Sequence, residues 1–225
     1  MFKKANMKKI NRKLAALVLM MVFAGVAMAA DDAKPIYENN FERAEVGKVP
    51  DDFLVLDGGF AVQSADGNKF LELPGAPLDS YGVLFGPTQK SGVTVSARIN
   101  GTKKGRRFPT FAVGLNGQAG YRLQVSPAKD ALEIFKGDES VANTPFQWKS
   151  GEWTTLSLQV VKSGDVWKVE GKAWAKGATE PAQPLVTYEE KAEPIAGRAS
   201  VWGSPFATTP IQFDDLSLRK VEAAK

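Results

Sequence analysis

The sequence predicts an all-β protein in which two antiparallel sheets pack face to face, preceded by an N-terminal export signal. From Asp31 onward, apolar and polar residues alternate at period two in short segments, which is typical of half-buried strands. Gly, Asn, Asp and Pro separate these segments, as expected for tight turns between antiparallel strands. No segment after Asp31 shows the periodicity of an amphipathic helix.

The N-terminus has the three parts of a secretory signal peptide. A basic head is followed by an apolar run from Leu14 to Val26, and then by Ala27-Met28-Ala29, which fits a cleavage site. We therefore expect a signal peptide over residues 1–29 and a periplasmic or secreted mature chain. The alternative is an uncleaved membrane anchor, but the run is shorter than the ~20 apolar residues that a span requires.

The net charge of +4 comes from this head rather than from the predicted mature chain. Subtracting its six basic residues from the total of 29 leaves 23 basic against 25 acidic residues, a net charge of −2. The removed residues are Lys3, Lys4, Lys8, Lys9, Arg12 and Lys13. The charge therefore gives no argument for nucleic-acid binding.

The chain contains no Cys and no His. This excludes a thiol nucleophile, a His general base, disulfides, and the usual ligand sets for zinc, copper and haem. Carboxylate chemistry and the binding of hard cations remain.

In chain order, eleven segments are predicted to be strands. They are evenly spaced without a linker-like tract, so we expect one domain over residues 30–220 and a frayed tail at 221–225. The predicted strands are Ala61–Ser64, Phe70–Leu73, Val93–Ile99, Thr110–Leu115, Tyr121–Ser126, Leu132–Lys136, Trp153–Val161, Trp167–Ala175, Pro184–Glu189, Ala199–Trp202 and Ile211–Arg219.

Strand phase gives each of the longer segments one apolar and one polar face. The residues predicted to face the core are Val93, Val95, Ala97, Ile99, Tyr121, Leu123, Val125, Leu156, Leu158, Val160, Val169 and Ala173. Those predicted on the polar faces include Thr94, Ser96, Arg98, Arg122, Gln124, Thr155, Ser157, Gln159, Lys168, Glu170, Lys172 and Trp174.

The last predicted strand breaks its apolar phase in the middle. Phe213 and Leu216 point to opposite sides, with Asp214 and Asp215 at the break, so we expect a bulge or an inward carboxylate with a partner. Because Asp214 and Asp215 are adjacent, they are predicted to point to opposite faces. A first strand near Tyr37–Glu42, paired with the last one, would close the sandwich.

The order of several segments resembles the concanavalin A-like lectin/glucanase superfamily, most closely its laminin-G-like branch in exported bacterial proteins. The similar stretches are Gly120–Leu123, Leu132–Gly137, Gly151–Leu158, and Gly197–Trp202 leading into Phe213–Leu216. The resemblance covers Ile36 to Leu218 and implies a two-sheet antiparallel jelly-roll sandwich whose relatives bind or cleave glycans.

The chain departs from the glucanase members of that superfamily, which place their catalytic acids as Glu-x-Asp-x-x-Glu. This run is absent, and no strand offers two same-face carboxylates at the separation that a retaining glycosidase needs. Hydrolysis therefore ranks below binding, and we predict no catalytic residues.

A structural calcium ion is the one cofactor that the resemblance suggests, because related sandwiches often hold an ion where the first and last strands meet. Glu42 and Asp215 are the matching carboxylates, and calcium prefers such oxygen ligands. The alternative is that both groups accept backbone hydrogen bonds at a turn and a bulge.

Trp174 stands among polar residues on the hydrophilic phase of its strand. An aromatic ring in such a place suits stacking on a sugar ring, with Arg122, Gln124, Glu170 and Lys172 as polar neighbours. The alternative is that the loop Gly177–Leu185 covers Trp174 and makes it a packing residue.

Basic residues are clustered at Lys103-Lys104-Gly105-Arg106-Arg107, in a predicted turn. Such a cluster suits an anionic polysaccharide or lipid head group, although a solvated loop is the commoner meaning. Together these features predict a non-catalytic carbohydrate-binding or structural module of the cell envelope. A glycoside hydrolase with carboxylates from separate strands and a protein-interaction module are the alternatives.

Overall fold

The structure is a computed structural model of the 225-residue chain that describes residues 34–76, 79–206 and 209–221. Within these ranges the chain forms fifteen strands and one short 3₁₀ helix, Pro127–Lys129. The strands are β1 (Tyr37–Asn39), β2 (Leu54–Asp57), β3 (Ala61–Ala65), β4 (Asn68–Leu73), β5 (Tyr81–Gln89), β6 (Val93–Gly101), β7 (Thr110–Leu115), β8 (Tyr121–Ser126), β9 (Ala131–Lys136), β10 (Glu139–Pro145), β11 (Thr154–Ser163), β12 (Val166–Ala175), β13 (Val186–Glu190), β14 (Gly197–Ser204) and β15 (Ile211–Lys220). The predicted signal peptide at residues 1–29 and residues 222–225 of the predicted tail lie outside the described residues.

The strands form two antiparallel sheets. The eight-stranded sheet has the order β13-β12-β11-β6-β15-β4-β3, with β1 also paired to β15. The seven-stranded sheet has the order β10-β9-β8-β7-β14-β5-β2. The all-β, two-sheet prediction is therefore confirmed for the described residues.

The predicted inward faces form the core between the sheets. Each of the twelve residues predicted to face inward is buried, and together with the other apolar positions they form one hydrophobic cluster. Gly171 is part of this packing, because a Cβ at that position would lie 2.4 Å from the Leu123 side chain of the opposite sheet. The outward-facing side chains of β6 and β11 are only half-buried, so one polar face is left towards solvent.

Strand β15 changes partner at the predicted phase break. On the side away from β6, Ile211–Phe213 pair with β4, whereas Leu216–Leu218 pair with β1. The register with β6 shifts between Asp214 and Ser217, and Asp215 has a left-handed φ of 49°. The predicted bulge and the pairing of first and last strands are confirmed.

The expectation that Asp214 and Asp215 point to opposite faces is wrong. Oδ2 of Asp214 lies 2.6 Å from Nη2 of Arg98, and Oδ2 of Asp215 lies 3.1 Å from Nε of the same arginine. The left-handed residue at the bulge interrupts the two-residue alternation. Both carboxylates therefore reach the outer face of the eight-stranded sheet.

Within the described ranges, no helix is both long and apolar enough to cross a bilayer.

Candidate functional site

A polar groove lies on the outer face of the eight-stranded sheet. The strands β15, β6, β11 and β12 form its floor. Their antiparallel register aligns the outward side chains in rows across the four strands. The three rows are Asp214, Arg98, Thr155 and Trp174; then Ser217, Ser96, Ser157 and Lys172; then Arg219, Thr94, Gln159 and Glu170. Four strands span three inter-strand spacings, about 14 Å, which is long enough for a short oligosaccharide.

The groove has two depressions with different walls. The larger, of about 930 Å³, is bounded by the segment Glu38–Arg43 and floored by Ser96, Arg98 and Ser217. The smaller, of about 320 Å³, is bounded by the loop Glu180–Pro184 and floored by Ser157 among others. Ser96 and Ser157 are cross-strand partners, so the two depressions adjoin along the row of serines.

Arg98 is the most heavily engaged side chain on the floor. Its guanidinium lies 4.7 Å from the centre of the Trp153 ring, in the geometry of a cation–π contact. It also pairs with Asp214, whose Oδ2 accepts from Asn68 Nδ2 at 3.0 Å and whose Oδ1 accepts from the Asp215 N–H at 2.7 Å. The Asp214 side chain is 1% exposed, so these donors satisfy an otherwise costly buried carboxylate.

The other charged floor residues are also paired, which limits their positions. Arg219 donates to Glu38 Oε1 at 2.6 Å and to Ser217 Oγ at 3.1 Å. At the other end, Lys172 donates to Glu180 Oε1 at 2.8 Å, which fixes the wall loop to β12. The groove therefore offers serine and threonine hydroxyls between anchored charges, an arrangement suited to hydrogen-bonding a polyhydroxylated ligand.

Glu42 and Asp215, the predicted calcium ligands, both line the larger depression. Burial and the neighbouring Asp214 charge raise the pKa of Asp215, and Glu42 adds to this effect. Glu42 Oε1 already accepts the Lys69 N–H at 3.0 Å. In the part of the chain that the structure describes, no group of three or more acidic side chains is arranged to hold a metal ion. Because calcium takes six to eight oxygens, these carboxylates would supply only part of its shell.

Trp174 lies at the β12 end of the first row and is half-buried. Its cross-strand neighbour is Thr155, which lines the larger depression. Glu170 and Lys172, its predicted polar neighbours on β12, line the smaller depression. The structure thus places Trp174, Glu170 and Lys172 on one face.

Arg122 and Gln124 are not neighbours of Trp174, and that part of the prediction is wrong. Both lie on β8 of the seven-stranded sheet. The Arg122 guanidinium lies over the rings of Trp202 and Phe135, with 4.9 and 5.8 Å to their centres, and donates to the Gly137 carbonyl at 2.6 Å. Gln124 donates to Ser126 Oγ at 2.9 Å. Strand phase separates inner from outer faces, but it does not say to which sheet a strand belongs.

Ser96, Ser157 and Arg98 lie on polar faces as predicted, but the sequence did not indicate that they form one site. The available signal was that β6 and β11 each carry small or charged side chains at alternate positions. These positions form one groove because β6 pairs with both β11 and β15, although the three strands are far apart in sequence.

The two-sheet architecture is that of a concanavalin A-like β-sandwich, a fold shared with solved galectin-like structures. No protein-family model matches the chain, and no curated protein matches it in sequence.

Solved structures share the fold at low sequence identity. The carbohydrate binding module CBM66 from Bacillus subtilis is 11% identical, with a TM-score of 0.54 over 75% of this chain and 96% of that one. A Bacillus subtilis protein of unknown function with a galectin-like fold is 11% identical, with a TM-score of 0.53 over 83% and 96%. The exoplasmic/lumenal domain of VIP36, in a Ca²⁺/Man-bound form, is 8% identical, with a TM-score of 0.56 over 86% and 93%. This likeness establishes the fold.

Proposed function

We propose that the protein is an exported carbohydrate-binding module that takes a glycan in the polar groove of its eight-stranded sheet. The observation that carries this proposal is the alignment of hydroxyl and charged side chains in rows across β15, β6, β11 and β12. Sugars are bound by convergent hydrogen-bonding groups in a concave site, and the groove supplies both. Solved structures with the same fold include a carbohydrate binding module and a Ca²⁺/Man-bound domain, which supports the proposal.

Trp174, Glu170 and Lys172 are the proposed ligand contacts at the β12 end, and the serine row forms the middle of the site. We assign Arg122 and Gln124 to the stability of the other sheet, because Nη2 of Arg122 and Nε2 of Gln124 already donate hydrogen bonds there. Calcium at Glu42 and Asp215 would support the wall at the opposite end. We also propose that the protein belongs to the laminin-G-like branch and acts at the cell envelope.

A glycan-array screen of the purified chain, with calcium and again with chelator, tests the function. We expect selective binding of one group of glycans. Ser157→Tyr should then abolish binding, because the new ring fills the groove at the junction of its depressions. Gln124→Tyr, which adds the same ring to the opposite sheet, should bind like the parent. An array without selective binding, or equal binding by both variants, would overturn the proposal.

Hydrolysis is the second candidate, because carboxylates from separate segments line one depression. Glu38, Glu42 and Asp215 all face the larger part of the groove. Release of new reducing ends from a glycan that binds, lost in Asp215→Asn, would establish an enzyme. Binding without release would leave the module non-catalytic.

The alternative of a protein-interaction module has less support. In the described ranges, the exposed large apolar side chains are Val46, Leu54, Leu185 and Ile195, which lie on four different segments of the chain. A contiguous apolar patch would favour a docking surface for a protein, whereas these four side chains come from separate segments.

A further inference from the structure

The turn between β6 and β7 carries a cluster of cations that the groove does not use. Lys104 and Arg107 pair through their backbones, with Lys104 N to Arg107 O at 3.0 Å and Arg107 N to Lys104 O at 3.1 Å. Gly105 and Arg106 form the tip, where Gly105 has a φ of +61°. We call the segment Thr102–Phe108 the basic hairpin; the two residues Gly105 and Arg106 form its turn.

Three cations of the hairpin have no acidic partner among the described residues, unlike several arginines elsewhere in the domain. Lys103, Arg106 and Arg107 are exposed, and none forms an ion pair with a carboxylate of the described residues. In contrast, Arg98, Arg122 and Arg219 are each paired with an aspartate or glutamate. The predicted mature chain is slightly acidic overall, so a basic composition does not explain this local cluster.

The base of the hairpin is fixed to the domain. Lys103 N donates to Ser150 Oγ at 2.9 Å, and the Lys103 ammonium lies 5.9 Å from the Phe108 ring centre. Phe108 is half-buried and Pro109 is buried. The cations are thus presented from a braced turn, and less conformational entropy is lost when an anion binds to them.

We propose that the basic hairpin is a docking site for an anionic polysaccharide that carries carboxylate or sulfate groups. Guanidinium groups form forked hydrogen bonds to such oxyanions, and a repeating polyanion can meet several cations at once. Phe108, the one apolar residue of the hairpin, is half-buried at its base, and the tip has no apolar side chain for insertion into a bilayer, which favours a soluble polyanion over a lipid surface. This site is separate from the groove and does not depend on the proposed function.

The test compares two double variants that lose the same charge. Arg106→Ala/Arg107→Ala removes the cations of the tip. Lys191→Ala/Lys220→Ala is the control, because Lys220 pairs with Val93 at the opposite end of β6 and Lys191 follows Glu190 at that same end of the sheet. The probes are heparin, polygalacturonate, and vesicles of anionic phosphatidylglycerol in phosphatidylcholine. Because both variants keep the basic N-terminal head, the difference between them isolates the hairpin.

We expect the parent to bind heparin or polygalacturonate at low salt, and the hairpin variant to bind about tenfold more weakly. The control should stay within about twofold of the parent, and thermal unfolding should confirm that both variants fold. The proposal is overturned if the parent binds neither polysaccharide, if the two variants lose affinity equally, or if only the vesicles bind. If the parent binds heparin as expected but the glycan array shows no selective binding, the proposed glycan site in the groove is contradicted and the proposed hairpin site is retained.

Discussion

Arg98 and Asp214 face each other across the β6–β15 pairing, with Nη2 and Oδ2 only 2.6 Å apart, immediately before the bulge that redirects β15. Asp214 is buried while Arg98 is about one-quarter exposed, so the pair is a largely desolvated part of the groove floor. It also fixes the place where β15 passes from β4 to β1.

Removing the guanidinium should therefore destabilise the fold. Arg98→Met leaves a buried carboxylate without its charged partner, and we expect a loss of about 2–3 kcal/mol in the free energy of unfolding. Asp214→Asn in the same background should recover part of that loss. Urea unfolding at pH 7 measures both effects. Arg219→Met is the control, because its partner Glu38 is about half-exposed and the pair should contribute under about 1 kcal/mol. Equal losses in Arg98→Met and Arg219→Met would contradict this account.

Trp174 should contribute to binding more than to stability. Trp174→Ala removes a ring beside Thr155 at the edge of the groove, and we expect about tenfold weaker binding of a glycan found on the array. Trp174→Phe should keep most of the affinity, because it keeps an aromatic face. Calorimetric titration measures the affinities. A large fall in melting temperature with unchanged affinity would instead make Trp174 a packing residue beneath the loop Gly177–Leu185.

Glu190 should make stability depend on pH in the acid range. Burial raises its pKa, but hydrogen bonds from the Lys136 ammonium and the Ala192 N–H outweigh this, so the pKa of Glu190 is lowered from 4.5. A carboxyl whose pKa is lower in the folded state contributes its full stability above the unfolded value, and loses it as pH falls through the folded pKa. Lys136 lies on β9 and Glu190 on β13, so the pair links the two sheets.

Glu190→Gln should therefore lower stability at pH 7 by about 1–2 kcal/mol, a value reduced for the partial exposure of Lys136. The difference from the parent should shrink as pH falls below about 4.5. Urea unfolding at several pH values gives both curves. Parallel curves for parent and variant would show that this ion pair does not govern the acid response.

Calcium should raise the melting temperature if Glu42 and Asp215 hold an ion. We expect a rise in the parent on adding calcium after chelator, and none in Asp215→Asn, which loses one anionic ligand. Asn tolerates the left-handed φ of 49° at this position, so the bulge should persist. Magnesium serves as the control, since it demands a smaller and more regular shell. The same melting temperature for the parent in calcium and in chelator would discard the site.

Most of the fold follows from local sequence signals, and the exceptions have physical causes. Tyr121–Ser126 and Thr110–Leu115 are strands with the predicted bounds, because their alternation is regular. Strand β5 was not predicted, since Gly82, Gly86 and Pro87 interrupt its pattern. Gly82 is required there by long-range packing, because a Cβ would lie 2.5 Å from the Trp202 ring. Strands β2 and β10 were also missed, and β10 has few apolar residues.

The site was less predictable than the fold because it depends on which strands become neighbours. Strand phase correctly gave the outward positions of Ser96, Ser157 and Arg122. Strand phase could not show that Ser96 and Ser157 lie in one sheet and Arg122 in the other. The bulge was visible in sequence, but the convergence of Asp214 and Asp215 on Arg98 depends on a single backbone angle at Asp215.

One wall of the groove is formed by the short strand β1 and the segment that follows it. Only three residues of β1 pair with β15, supplemented by the Ile36 N–H to Leu218 carbonyl bond at 2.8 Å and the Arg219–Glu38 ion pair. Such a small unit opens at lower free energy than the central strands do. A ligand that contacts both this wall and the floor should therefore slow amide hydrogen exchange at Tyr37–Asn39. The exchange rate of the first strand then shows whether the groove is occupied.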